Sequence, residues 1–583
     1  DDDWAGSPEN VLNLAEGFMK LPRHLGIHPG GMVLADQPVI DICPVQWGRM
    51  ADRSVLQWDK DDCAEAGLVK FDLLGLGMLG AVRLAFEEIE RVEGAHWEMH
   101  SIPQERPEVY DLLCAADTVG VFQVESRAQM ATLPRLQPRR FYDIVVEVAL
   151  IRPGPIQGGS VHPYIERARG RQPVAYDHEL LRPALERTKG VPLFQEQLMQ
   201  MAVAAAGFTA GQADQLRRAM GSKRSTEKME ALKDRLMGGM RQRGIPPAAR
   251  DKIYEQLKGF ADFGFPESHS FSFALIVYVS AWLKVFHPAA FYAAILASQP
   301  MGFYSPQSLV ADARRHGLTV TGPDAQVSRA QASVERTGLG ERPYSELLRG
   351  DPELGIRLGL AAVRGIGQKK AEQIEQERSK GLFASLTDLA RRCELTPHQM
   401  ESLATAGALE ALQPERRRAL WAAGAVGGAG ELPGTRPGLV APPLPGMSDE
   451  ELARADVWAT GVSLAQYPTI HLRDKLDAVG VIPNNQVKDH PDGAWVKVAG
   501  VVTHRQRPST AAGVTFLGLE DETGLLNIIC TKDVWNRYRK AGRTAAALVV
   551  SGRLESRDGT VGVKAGHLHP LHLRVPSRSR DFH

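Results

Sequence analysis

Hydrophobic positions along this chain recur with two different periods, and the change from one to the other divides it. In residues 1–25, Val11, Leu12, Leu14, Ala15, Phe18, Met19 and Leu21 recur at roughly helical spacing before Pro22, predicting one amphipathic helix. From 26 to about 78, short apolar runs punctuated by Gly and Pro predict strands joined by turns. From about 79 to 300 the period is helical again, most clearly over 79–92, 195–206, 210–220 and 223–243. The most apolar run, 271–286, is broken by Ser272, Ser280 and Lys284. It is shorter than the ~20 residues a bilayer span needs, so it predicts a buried helix and no membrane association.

A second helical unit is predicted over 355–412, centred on Leu360-Ala361-Ala362-Val363-Arg364-Gly365-Ile366-Gly367-Gln368-Lys369-Lys370-Ala371. The stretch 422–447 then loses any apolar period and becomes rich in Gly, Pro and Ala, predicting a flexible linker. Beyond Trp495 the pattern turns to β. Segments 496–502, 514–519, 525–529, 546–554 and 561–563 predict five short strands, with a helical insert at 534–540 between the third and fourth. That is the layout of an oligonucleotide-binding (OB) barrel.

Composition narrows the class. A chain of 583 residues is too long for one core and implies several domains. Lys+Arg and Asp+Glu balance at 69 each, which argues against a small basic DNA-coating protein and leaves any nucleic-acid surface to local clustering. Cys43, Cys63, Cys114, Cys393 and Cys530 are scattered without zinc-ligand spacing, predicting reduced, buried thiols in a cytoplasmic protein. The opening, Asp1-Asp2-Asp3-Trp4, reads as a chain that begins part-way through a longer protein.

Candidate chemistry is densest in Val69-Lys70-Phe71-Asp72-Leu73-Leu74-Gly75-Leu76. As a strand, it turns Val69, Phe71 and Leu73 towards a core and projects Lys70 and Asp72 together. A carboxylate beside an ammonium suits metal-bound phosphate, although a solvated strand face reads the same way. Upstream lies Ile27-His28-Pro29-Gly30-Gly31-Met32-Val33, a tight turn opening an apolar run. Downstream follow Gly120-Val121-Phe122-Gln123-Val124-Glu125-Ser126-Arg127, Ile151-Arg152-Pro153-Gly154-Pro155, Phe194-Gln195-Glu196-Gln197, Leu216-Arg217-Arg218-Ala219-Met220-Gly221-Ser222-Lys223 and Phe265-Pro266-Glu267-Ser268-His269-Ser270.

In this order and spacing the segments resemble the palm and fingers of the bacterial C-family polymerases, the DNA polymerase III alpha type. The resemblance implies a multidomain α+β fold: part of a nucleotidyltransferase-like palm, large mainly helical fingers, a helix-hairpin-helix unit and a C-terminal OB β-barrel. It implies the end of a thumb at 1–25, the second part of the palm at 26–78 and fingers at 79–345. A helix-hairpin-helix DNA-binding unit at 346–412, a linker and connecting segment at 413–494, the barrel at 495–572 and a tail at 573–583 complete the division.

It further implies template-directed DNA synthesis by two-metal phosphoryl transfer from deoxynucleoside triphosphates to a primer 3′-hydroxyl on primer-template DNA. Asp72 matches a catalytic, metal-holding aspartate and Lys70 the palm lysine beside it. The family's other two aspartates belong to an Asp-x-Asp strand, and no such motif stands ahead of His28. Two Mg²⁺ ions are therefore expected, with their remaining ligands outside this chain, which alone is expected to be inactive. Asp59, Asp61, Asp62 and Glu65 read as loop or helix-surface charges.

The resemblance makes Arg217 and Arg218 incoming-nucleotide contacts; by residue type alone guanidinium forks suit phosphate, but with Lys223 continuing the run a basic surface helix reads the same way. Arg152 is presented from a stiff Pro-Gly-Pro turn, as a contact or as a plain structural turn. His269 suits a phosphate contact or a helix cap. Gln123, Glu125, Arg127, Gln195 and Glu196 sit in matching motifs, as contacts or as braces of the fold. Gly365 and Gly367 let backbone N–H groups approach a DNA phosphate, with Lys369 and Lys370 adding charge. In the barrel, Trp495, Phe516, Arg505 and Arg507 are candidates for stacking and backbone contact, unless the barrel serves a protein partner.

Within the family the chain is most like the error-prone, damage-inducible ImuC type. It stops soon after the barrel and has no clear clamp-binding peptide, which implies an ImuB-type accessory protein to reach the sliding clamp. A fragment of a replicative alpha subunit and a non-catalytic DNA-binding scaffold are the alternatives.

Overall fold

In a computed structural model of the chain, the residues described are 9–19, 21, 28, 30–48, 50, 52–73, 77–151, 161–219, 225–259, 265–340, 342–426, 441–464, 466–508, 511, 513–573 and 579–582. They fall into two compact units, Asp1–Leu76 and Gly77–His583.

The first unit holds the expected amphipathic helix, Glu9–Met19, and two antiparallel ribbons. Strand β1 (Gly31–Leu34) pairs with β4 (Val69–Asp72), with Gly31 opposite Asp72 and Val33 opposite Lys70; β2 (Val45–Trp47) pairs with β3 (Ser54–Leu56). The short helix Lys60–Glu65 begins with a reciprocal cap. Asp62 N–H donates to Asp59 Oδ1 at 3.1 Å and Asp59 N–H to Asp62 Oδ2 at 3.2 Å, so these acids terminate a helix.

One expectation is reversed here. Val69, Phe71 and Leu73 are 57%, 43% and 65% exposed, whereas Lys70 is partly buried. Alternation dictates which side chains share a face, but a face becomes core only if another layer covers it. Among the described residues of this unit, none covers that face of the ribbon.

The second unit is built on helices. Its centre is Glu267–Phe286, packed against Phe141–Leu150. By length and composition this helix could cross a membrane, but two-thirds of its apolar window is buried inside the protein, as in a core helix. Its Lys284 is fully buried and bridges Asp117 at 2.9 Å and Asp312 at 3.1 Å. His316 pairs with the same two carboxylates and the Tyr292 hydroxyl donates to Asp312 at 2.6 Å. The two acids and two bases close on one another, which is the condition for burying charge.

Residues 320–357 form a three-stranded mixed sheet: β5 (Val320–Thr321), β6 (Ser333–Arg336) and β7 (Leu354–Arg357). The unit expected to be helical from 355 therefore opens on a strand, because Leu354 and Ile356 are buried in a sheet assembled from distant segments. Helices Gly367–Ser379, Leu386–Arg392 and Pro397–Thr405 follow, with Ser385 and Thr396 as side-chain N-caps. The expected linker is shorter than its composition suggests. Ala422 and Ala423 are buried in helix Arg416–Ala425, which joins the hairpin core, and helix Asp449–Thr460 starts on a Ser448/Glu451 capping box. Small side chains that look featureless in sequence allow these helices to approach closely. Residues 427–440, the middle of that stretch, lie outside the described residues.

The last domain is a closed five-stranded barrel. Strands β8 (Trp495–Gln506), β9 (Thr515–Glu520), β10 (Leu525–Cys530), β11 (Ala547–Arg557) and β12 (Thr560–Pro570) run in the order β11-β12-β10-β9-β8, and β8 closes back on β11. Val498, Leu517, Ile528, Leu548, Val550 and Val563 fill the interior, each buried aliphatic side chain contributing about 1.5–3 kcal/mol. The insert is two helices, Lys532–Arg537 and Arg539–Thr544. The expected tail returns as a short strand, β13 (Arg580–Phe582), parallel to β8 at His504–Gln506.

The barrel is docked on the helical body. Glu520 is buried and accepts from both terminal nitrogens of Arg315 at 3.1 Å and from the Ser308 hydroxyl at 2.6 Å. Arg127 donates to His504 at 3.2 Å, and Thr560 to the Ala131 carbonyl at 3.1 Å.

Candidate nucleotide and nucleic-acid interface

In the first unit, β4 presents Lys70 across the ribbon towards Gly31. A Cβ on Gly31 would stand 2.7 Å from Lys70 Cε and 2.8 Å from His28 Nδ1, so glycine there lets the lysine and the imidazole converge over the backbone. His28 stands in the motif at residues 27–33, where the sequence alone assigns it no role. Asp72 lies on the same strand, and nothing is described of its side chain. Among the described residues, the one group of three or more metal-ligand side chains is Asp117, Asp312 and His316. That cluster already encloses the Lys284 ammonium. The described residues therefore show no carboxylate set for two Mg²⁺ ions.

In the helical body, Arg217 lies exposed on helix Ala210–Ala219 and pairs with Asp214 at 2.9 Å. Arg218 is on the same helix, but nothing is described of its side chain; Arg152 and Lys223 lie outside the described residues. His269 is exposed in the first turn of helix Glu267–Phe286, its ring 4.2 Å from that of Phe273 and 5.2 Å from that of Phe265.

The neighbouring motif residues brace the fold. Glu196 accepts from Glu267 N–H at 3.0 Å, tying two helix starts together. Glu125 accepts from Gly120 N–H and Phe303 N–H, both at 3.0 Å. Sequence patterns gave no signal for Glu147, which is buried on helix Phe141–Leu150 with neither carboxyl oxygen hydrogen-bonded. Burial pushes its pKa well above the usual carboxylate range.

The hairpin turn has the geometry its glycines permit: Gly365 and Gly367 adopt φ of +78° and +65°. Lys369 is exposed, whereas Lys370 is partly buried and engaged within the hairpin unit. Its ammonium donates to the Cys393 carbonyl at 2.9 Å and to Gln373 Oε1 at 2.8 Å, where the end of helix Leu386–Arg392 concentrates negative charge. Arg364 offers the exposed cation instead, its guanidinium 4.8 Å from the Trp458 ring centre.

The barrel residues separate similarly. Arg505 is 8% exposed, with Nε donating to the Gly542 carbonyl at 2.6 Å, one terminal nitrogen to Ala545 at 2.5 Å and the other to the Ser579 hydroxyl. It holds the helical insert and the returning tail to β8, so it is unavailable for contact with a nucleic-acid backbone. Phe516 is partly buried, Arg507 is exposed, and Trp495 is 59% exposed.

A helical body, a glycine-turned helix-hairpin-helix and a C-terminal OB barrel in one chain define a multidomain α+β protein. Comparison with known families gives these modules their context. Residues 4–75 match the bacterial DNA polymerase III alpha NTPase domain, and 78–244 the finger domain of the same subunit. Residues 317–419 match a helix-hairpin-helix motif and 496–571 an OB-fold nucleic acid binding domain. The chain is 58% identical to an error-prone DNA polymerase of Mycolicibacterium paratuberculosis, over 100% of this chain and 52% of that protein. Similar relatives of the same name are 58% identical in Nocardia farcinica, over 99% and 50%, and 49% identical in Corynebacterium glutamicum, over 100% and 54%. This chain belongs to the DNA polymerase III alpha, or C-family, polymerases, and spans about half the length of the curated relatives it matches.

Proposed function

We propose that the chain is part of an error-prone DNA polymerase that copies a template across damaged bases. The observation that carries this reading is the unbroken likeness of the whole chain to polymerases of that name, through NTPase, finger, helix-hairpin-helix and OB segments in one order. In this reading Asp72 holds catalytic metal and Lys70 neutralises phosphate beside it, with two Mg²⁺ completing their ligands from outside this chain. When bound, those ions stabilise the attacking and leaving oxygens of phosphoryl transfer.

Arg217, Arg218, Arg152, Lys223 and His269 receive the deoxynucleoside triphosphate, and the exposed pair of Arg217 with Asp214 opens to do so. The hairpin grips duplex phosphates through the backbone N–H groups after Gly365 and Gly367 and through Lys369. The protein acts in the cytoplasm and reaches the sliding clamp through an ImuB-type accessory partner. The domain divisions given by the sequence serve these roles: thumb end, palm, fingers, hairpin, connector, barrel and tail.

Primer extension by the full-length polymerase tests the reading. Asp72→Ala should abolish extension on undamaged and lesion-bearing templates while primer-template binding persists. Undiminished extension would remove Asp72 from the catalytic centre.

A further inference from the structure

Strands two and three of an OB barrel form its usual oligonucleotide face. Here these are β9 and β10, and β9 is committed elsewhere. Glu520 is buried against Arg315 and Ser308, and a Cβ on Gly518 would stand 2.7 Å from a terminal nitrogen of Arg127. The outer face of β8, β11 and β12 differs. Part of it is covered: Ala499 and Val549 pack under Leu476 and Val481. Beyond that cover the outward positions change character. Across the strands, Arg553 pairs with Trp495 and Lys564, while Ser551 pairs with Lys497 and His567.

The aromatic groups on this face are held in place. The Trp495 indole lies over Gly566, where a Cβ would come within 2.5 Å of the ring. Tyr538, at the end of helix Lys532–Arg537, hydrogen-bonds His567 Nδ1 at 2.7 Å. The His567 and His569 rings are nearly parallel, 14° apart in plane and 6.5 Å between centres. That interval is close to twice the ~3.4 Å step between successive bases of a strand. Trp495 stands 6.2 Å from His567. Arg553 and Lys564 are exposed at the edge, while the Lys497 ammonium is held by the Val479 carbonyl at 2.9 Å. The segments 495–497, 549–553 and 564–569 contain no acidic residue.

We propose that this face is a second single-strand surface, distinct from the β9–β10 side, on which bases stack against Trp495, His567 and His569 while Arg553 and Lys564 hold phosphates. Aromatic faces accept any base and the cations follow the backbone, so the surface takes single-stranded nucleic acid without sequence preference. The inference rests on the nucleic-acid reading of the barrel and not on catalysis.

The test is fluorescence anisotropy of labelled oligothymidylate, about 4–16 nucleotides long to match one barrel, titrated with the full chain. Trp495→Ala should weaken binding on the order of 10-fold, and Trp495→Phe, which keeps a ring, should restore most of it. Arg553→Gln with Lys564→Gln should lower the slope of log affinity against log salt by about 1.4, or ~0.7 per lost single-strand phosphate contact. Unchanged affinity and slope, with melting curves showing an intact fold, would overturn the proposal and leave the face to a protein partner. If the indole proves necessary for folding, the exposed charge pair decides. Binding is the readout, so failure of primer extension would leave this result standing.

Discussion

The barrel meets the helical body on one side and solvent on the other, and the two sides handle charge differently. On the docked side, Glu520, Arg315, Arg127 and His504 are desolvated and held by named partners at fixed distances. On the open side, Arg553, Lys564, His567 and His569 remain exposed, ready for a partner from outside. A buried charge is costly to strip of its partner, whereas an exposed one is nearly neutral to stability and can serve binding.

The largest expected effect breaks the docked side. Arg315→Met leaves Glu520 buried without its cation and should destabilise the second unit by about 3–5 kcal/mol, measured by urea denaturation. Glu520→Gln keeps the shape and removes the charge, and should lose less.

The next separates two buried histidines by pH, His504 at that seam and His316 in the Lys284 cluster of the helical body. Burial, reinforced by the Arg127 guanidinium, depresses His504 to about 3. The unfolded chain then binds a proton that the folded one refuses, so stability is lost as pH falls below about 6.5. For His316, burial acts downward, but Asp117 and Asp312 outweigh it and the pKa is raised. Its contribution is complete below about 6.5 and is lost as pH rises through the folded value. Each proton sets a limiting slope of ~1.4 kcal/mol per pH unit. Denaturation series from about pH 4 to 9 should show His504→Asn flattening the acid limb and His316→Asn the alkaline limb; the reverse assignment would refute both signs.

Smaller effects sharpen the open side. Arg217→Ala, which removes an exposed pair, should change stability by no more than about 0.2–1 kcal/mol while raising KM for nucleotide. Arg553→Gln with Lys564→Gln should stay within about 0.5 kcal/mol of the parent in denaturation, even where oligonucleotide binding falls.

The barrel was readable from its pattern because each strand has one face on a core that closes upon itself. Helix Gln195–Ala206 was legible to the residue for the related reason that its apolar stripe is fully buried. The β1–β4 ribbon defeated the same logic, since alternation at Val69, Phe71 and Leu73 cannot say whether a second layer is present. Lys370 and Arg505 were read by residue type as cations for DNA. Their partners are carbonyls of Cys393, Gly542 and Ala545, distant in the chain, and no local spacing encodes such contacts. Glu147 has no hydrogen-bond partner among the described residues to leave a pattern. The exposed cluster at Trp495 lay half within reach: the indole was a candidate from sequence, but its histidine neighbours meet it only when β8 and β12 flank β11.

The closeness of the Trp495 ring to Gly566 also binds the histories of two positions far apart in the chain. A lineage that gains any side chain at 566 must displace the indole, and one that loses the indole releases 566 to drift. Position 566 therefore records, in any descendant sequence, whether the indole still lies over it.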